Sequence, residues 1–174
     1  MGRSSVFVGE HGVGLRGMGR MALQTDRNVM SSKIVVGLDG SASGERALSY
    51  AKSLATRLGS CELIVAFVIE WSPYSFQTAE ENAERHKRRE EEIDAAQSRI
   101  VQPAVESLKT DGFEARGVVK HGDVADLLDK IAVDNGADQI IVARTSEGGF
   151  VTRVFGTATQ SLVMHAHVPV TGVG

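Results

Sequence analysis

From Lys33 onward the chain alternates short apolar runs with segments of helical periodicity, and this alternation limits the fold more than any other feature. Ile34-Val35-Val36-Gly37-Leu38 carries no polar residue. A half-exposed strand alternates polar and apolar positions, so an unbroken run fits a strand covered on both faces. Leu63 to Ile69, Ala115 to Lys120, Gln139 to Ala143 and about Val168 to Val173 read as four more strands. Between the first two, Ser41-Ala42-Ser43 offers N-cap oxygens, with Glu45 in the first turn. Ala47, Leu48, Ala51, Leu54, Ala55 and Leu58 then recur at helical spacing until Gly59 stops the helix.

A loop at Trp71 to Thr78 leads to a long helical stretch from about Ala79 to Lys109. Its first half is almost all charge and reads as a solvated face laced with i,i+4 pairs. Its second half has a narrower stripe of Ile93, Ala96, Ile100, Ala104 and Leu108, and Pro103 is expected to kink it. Val124, Leu127, Leu128, Ile131 and Ala132 mark an amphipathic helix ended by Asn135-Gly136. The last helix is read near Gly156 to Ala166. Strands alternating with helices give a parallel sheet with right-handed crossovers. The expected architecture is a single doubly wound α/β domain, five strands in the order 3-2-1-4-5 with helices on both faces.

Composition removes several functions. The 174 residues are 42% hydrophobic and 24% charged, ordinary for one soluble domain with a real core. The net charge of −3 argues against a nucleic-acid binder. Residues 1–29 hold a local +2 and six of the 19 glycines, which leaves the remainder at −5. Cys61 is the only cysteine, so neither an intrachain disulfide nor a cysteine-clustered zinc site is available. No apolar run approaches the ~18 residues of a membrane span. A cytoplasmic protein without membrane or nucleic-acid partners is expected. The segment 1–29 lacks a secretory h-region. Its Gly12-Val13-Gly14-Leu15-Arg16-Gly17 has neither a full strand before it nor a lasting helix after it, so it reads as a flexible tail. The folded domain is expected over 30–174, with Met30 an alternative start.

In a sheet of this order ligands bind beyond the carboxyl ends of the strands, where the order reverses between the first and fourth. Asp39 ends the first strand and Ala143 the fourth. A carboxylate there can accept from ribose hydroxyls. A helix starting at Gly156-Thr157 would favour phosphate through its free N–H groups. Arg144 and Arg153 are candidate phosphate charges. No catalytic set emerges: His121 has no sequence-adjacent acid or base, His165 and His167 lack a third metal ligand nearby, and Cys61 reads as a buried filler.

The run Ile34 to Ser41, with Phe67-Val68-Ile69, Gly122-Asp123, Gly136-Ala137-Asp138 and Gly156-Thr157 in that order, resembles the universal stress protein family over about Ser32 to Val173. In its nucleotide-binding members a G-x-x-G loop is followed, nine residues on, by G-[S/T]. Gly156-Thr157 matches the final pair, whereas Ala143 and Ser146 stand where the two glycines belong. The resemblance implies that Asp39 faces the adenosine and that Val68 offers backbone groups to adenine. It places Gly156, Thr157 and Ala158 at the phosphates of ATP, bound with magnesium. It further implies a homodimer through the last strand and a regulatory, non-catalytic role toward an unidentified protein partner. The alternative is a nucleotide-independent interaction module of the same fold: the lost glycines favour it, and Asp39 with Gly156-Thr157 favours the nucleotide.

Overall fold

Ser32–Leu38 (β1) is the central strand of a five-stranded parallel sheet in the order 3-2-1-4-5. Cys61–Glu70 (β2) lies on one side of it and Gln139–Ala143 (β4) on the other, with Glu114–Gly122 (β3) and Val170–Val173 (β5) outermost. Val35 and Val36 are both 0% exposed, as the unbroken apolar run requires. The computed structural model describes residues 31–70, 79–144 and 152–174, with side chains from residues 86 and 158 onward in the last two segments. The expected tail, its glycine motif, the loop at 71–78 and Ser146 lie outside the described residues.

Two apolar layers sandwich the sheet. Ala42–Leu58 (α1) and Gln102–Thr110 (α3) bury Ala47, Ala51, Val105 and Leu108 against Ile34, Val36 and Leu63. Val124–Asn135 (α4) and Thr152–His165 (α5) bury Leu128, Ile131 and Leu162 against Val35, Ile64 and Ile140. The helix ends follow the cap residues. Ser41 accepts from the Ser43 amide and Asp123 from the Asp126 amide, while Gly136 closes α4 in the left-handed region at φ 60°. Each side-chain cap contributes about 1 kcal/mol.

The amino ends of the strands are tied by a polar network. Arg116 Nε donates to Glu62 at 2.6 Å and its Nη2 to Asn135 Oδ1, while the Lys33 amide donates to Asp138 at 2.9 Å. These contacts join β1, β2, β3 and α4 at the end remote from the switch point.

Four readings are corrected. The stretch after β2 is not one kinked helix: Ala79–Ala96 (α2) passes through a π-helical turn at Gln97–Val101 into α3, with Pro103 in the first turn after it. The Gln102 N–H reaches back to the Gln97 carbonyl across the turn, and Pro103, which has no N–H to donate, follows it. β5 begins at Val170, because Pro169 cannot join the ladder as a donor. The third strand runs past Lys120 to Gly122, so His121 belongs to β3. Helix α5 begins at Thr152, so Gly156-Thr157 do not open it. Glycine's helical cost of about 1 kcal/mol made Gly156 look like a boundary, but the surrounding residues carry the helix through it.

Candidate functional site

The pairing registers set Leu38 beside Phe67 and Gly37 beside Val142. One residue beyond Leu38, and two beyond Gly37, Asp39 of the β1–α1 loop stands level with Val68 and with Arg144, at the carboxyl end where the sheet order reverses. Asp39 is half-buried. Its Oδ1 accepts from the Ser41 hydroxyl at 2.7 Å and the Ser41 amide at 2.9 Å. Its Oδ2 makes no hydrogen bond among the described residues. Two donors fix the plane of the carboxylate and leave one oxygen for a ligand hydroxyl.

Val68 contributes no side chain to this site, since it is 5% exposed in the layer under α4. The β1–β2 ladder ends at Leu38–Phe67, so Val68 is the first residue of β2 beyond the pairing with β1. Ala143 is 5% exposed, paired with Val173 of β5, and its methyl belongs to the α1 layer.

The residues expected at phosphates are placed differently. Gly156, Thr157 and Ala158 lie in the second turn of α5, where amides bond within the helix instead of standing free. Ala158 is 8% exposed and packs in the core. Arg144 turns from the switch point toward β5. Its amide donates to Val173, and its side chain lies where Cβ atoms on Gly172 and Gly174 would stand, 2.9 Å from Cγ and 2.5 Å from Nη2 respectively. The side chain of Arg153 is outside the described residues.

The structure also brings together groups that are distant in sequence. His121, at the end of β3, has its Nε2 buried and 3.3 Å from Glu92 on α2, too poorly aligned for a hydrogen bond. Beside it, desolvation at the end of β2 raises the Glu70 carboxyl above its ordinary value, and the charge of Asp123 adds to that. His165 and His167 do not share a site: His165 Nδ1 meets the Ser161 carbonyl, and His167 binds Asp129 on α4. Among the described residues no group of three or more His, Cys, Asp or Glu is arranged to hold a metal ion. No described helix is long and apolar enough to cross a membrane.

A doubly wound α/β sheet with the order 3-2-1-4-5 defines the Rossmann-like fold class. The sequence profile of the universal stress protein family matches residues 30–173, and the chain belongs to that family. Among solved structures, UspA from Lactobacillus plantarum superposes with a TM-score of 0.68 at 19% identity, covering 83% of this chain and 98% of that one. A universal stress protein solved in complex with cAMP is similar, with a TM-score of 0.55 at 22% identity over 82% and 96% of the two chains. An Arabidopsis thaliana family member with AMP bound gives 0.54 at 18% identity, over 82% and 90%. At these identities the likeness shows the fold. No curated protein sequence matches the chain.

Proposed function

We propose that this universal stress protein binds an adenine nucleotide at the carboxyl ends of β1 and β4 and acts as a regulatory protein without efficient hydrolysis. The observation that carries the reading is Asp39: half-buried at the switch point, held by Ser41 through Oδ1, with Oδ2 open. Ribose hydroxyls would donate to that oxygen, and adenine would use backbone groups at Val68, just beyond the end of the β1–β2 pairing. Family members crystallised with cAMP and AMP support the ligand class. ATP with magnesium remains within the proposal, the ion being carried by phosphates and water as magnesium usually is. With Asp39 engaged on ribose, no base among the described residues is assigned to activate an attacking water, and phosphate release is expected below about one turnover per second. A homodimer through the exposed edge of β5, acting on a regulatory protein in the cytoplasm, completes the reading.

A second reading has its own support. Ala143 puts a methyl where nucleotide-binding relatives keep glycine, and α5 starts at Thr152. Both features suit a nucleotide-independent interaction module. Calorimetric titration of AMP, and of ATP with magnesium, into wild type, Asp39→Ala and Ala143→Gly separates the two. Binding that is lost in Asp39→Ala supports the nucleotide site. Silence in all three proteins leaves the interaction module.

A further inference from the structure

The helical connection between β2 and β3 loses its regular geometry as it passes the Asp39 loop. The π-helical turn Gln97–Val101 is fitted there between two glycines. On β3, a Cβ at Gly117 would fall inside the Val101 methyl, so bare backbone is needed for the turn to lie down. On the β1–α1 loop, Gly40 has φ +72°, and the direction of its absent side chain is filled by Ile100 Cδ1 at 3.2 Å, with Phe67 at 3.6 Å. Ile100 therefore rests against the residue that immediately follows Asp39.

The two sides of the turn differ in freedom. Val101, next to Ile100, is 0% exposed and locked between α3 and the sheet. Ile100 itself is half-buried and borders a cavity of about 270 Å³ between α1 and the turn, which Gly40, Leu48 and Ala104 also line. On that side Gly40 rests on Ile100 and, less closely, on Phe67, with open space beside it. π-helical turns inside longer helices recur at functional sites. Hydrogen bonds to a carboxylate fall off steeply with misalignment, so a small shift at Gly40 changes what Asp39 can hold.

We infer that Ile100 is a positioning residue for the Asp39 carboxylate, and that the π turn makes the nucleotide site responsive to displacement of the helix that carries it. The inference rests on the reading that Asp39 receives ribose hydroxyls. Ile100 touches no ligand; it holds the loop that presents the acceptor. Its loss should weaken recognition of the hydroxyls and leave recognition of the base alone.

The test compares the affinities of AMP and 2′,3′-dideoxy-AMP by calorimetry in wild type, Ile100→Ala, Ile100→Leu and Val105→Ala. Val105→Ala shortens a buried side chain of the same helical connection away from Gly40 and controls for lost stability. Wild type should prefer AMP, and Ile100→Ala should cut that preference by about fivefold to tenfold with dideoxy binding unchanged. Ile100→Leu and Val105→Ala should keep it. A preference that survives in Ile100→Ala overturns the inference, as does an equal cut in Val105→Ala. If wild type shows no preference for the hydroxyls, the reading of Asp39 fails, and this inference with it. Backbone amide shifts of Gly40 and Ser41 in ligand-free Ile100→Ala separate the two failures: unchanged shifts overturn the positioning role whatever the ligand.

Discussion

The Ser41 hydroxyl lies 2.7 Å from Asp39 Oδ1 and 3.1 Å from the Ser43 amide, so one oxygen orients the candidate ligand acceptor and caps helix α1. It donates to the carboxylate and accepts from the amide, which uses both of its capacities. Local stability and the site are therefore linked at a single side chain. Ser41→Ala should lower the melting temperature by roughly 2–4 °C, the equivalent of about 1 kcal/mol of lost capping. It should also weaken AMP binding, whereas Ser41→Thr retains the hydroxyl and both properties. Thermal unfolding with and without AMP reads both effects. An unchanged melting temperature in Ser41→Ala would contradict the cap.

Gly117 gives a sharper stability prediction. Its missing Cβ leaves the space that the Val101 methyl occupies, with Gln97 Nε2 and Val105 close behind at 3.3 and 3.5 Å. Gly117→Ala should cost about 1–3 kcal/mol by overpacking, seen as a lower urea midpoint at unchanged slope. A midpoint equal to that of wild type would mean that the π turn moves aside without cost.

Cys61 should be chemically silent. The thiol opens β2 at 8% exposure, and burial first, then the charges of Asp138 and Glu62, push its pKa up to about 11. Only the thiolate alkylates readily. At pH 8 iodoacetamide should label the native protein only as fast as the chain opens, and should label it promptly in denaturant. Rapid labelling under native conditions would contradict the burial.

Asp129 ties the segment after α5 to α4. It accepts from the His167 amide and meets His167 Nδ1, both at 2.7 Å. Desolvation pushes its carboxyl up, but the hydrogen bonds and charge of His167 outweigh that and hold it below its ordinary value. The unfolded chain therefore binds the proton more readily, and stability rises with pH across this titration. The contribution is complete above the unfolded carboxyl's value of about 4 and is lost as pH falls through the folded one. The stability difference between wild type and Asp129→Asn in urea should shrink from pH 5 to pH 3. A difference that stays constant would mean that the pair does not form in solution.

Most of the sheet was legible because its signals are local. Ile34 to Leu38 could be covered on both faces only as a central strand, and Ser41, Gly59, Asp123 and Gly136 mark helix ends by their own chemistry. The start of α5 was misplaced because Gly156 carries a breaker signal that its neighbours override. The π turn was hidden for a different reason. Pro103 announced an irregularity, but the place where the helix widens is set by Gly117 and Gly40, residues distant in the chain whose missing side chains leave room for it. Asp39 was legible from its place at the end of β1. The support it receives from Ile100 was not, because a contact between a loop and a helix some sixty residues away has no period in the sequence. The Glu92–His121 approach was missed for the same reason.

The nucleotide reading is met most directly by the amide spectrum of the ¹⁵N-labelled protein as AMP is added. Saturable shifts should gather at Gly40 and Ser41, at Val68 and Ile69, and at Ala143 and Arg144, where the carboxyl ends of β1, β2 and β4 meet. The same titration of Asp39→Asn should lose most of them. A wild-type spectrum that does not move at millimolar AMP, or moves only along β5, would contradict a nucleotide site at the switch point.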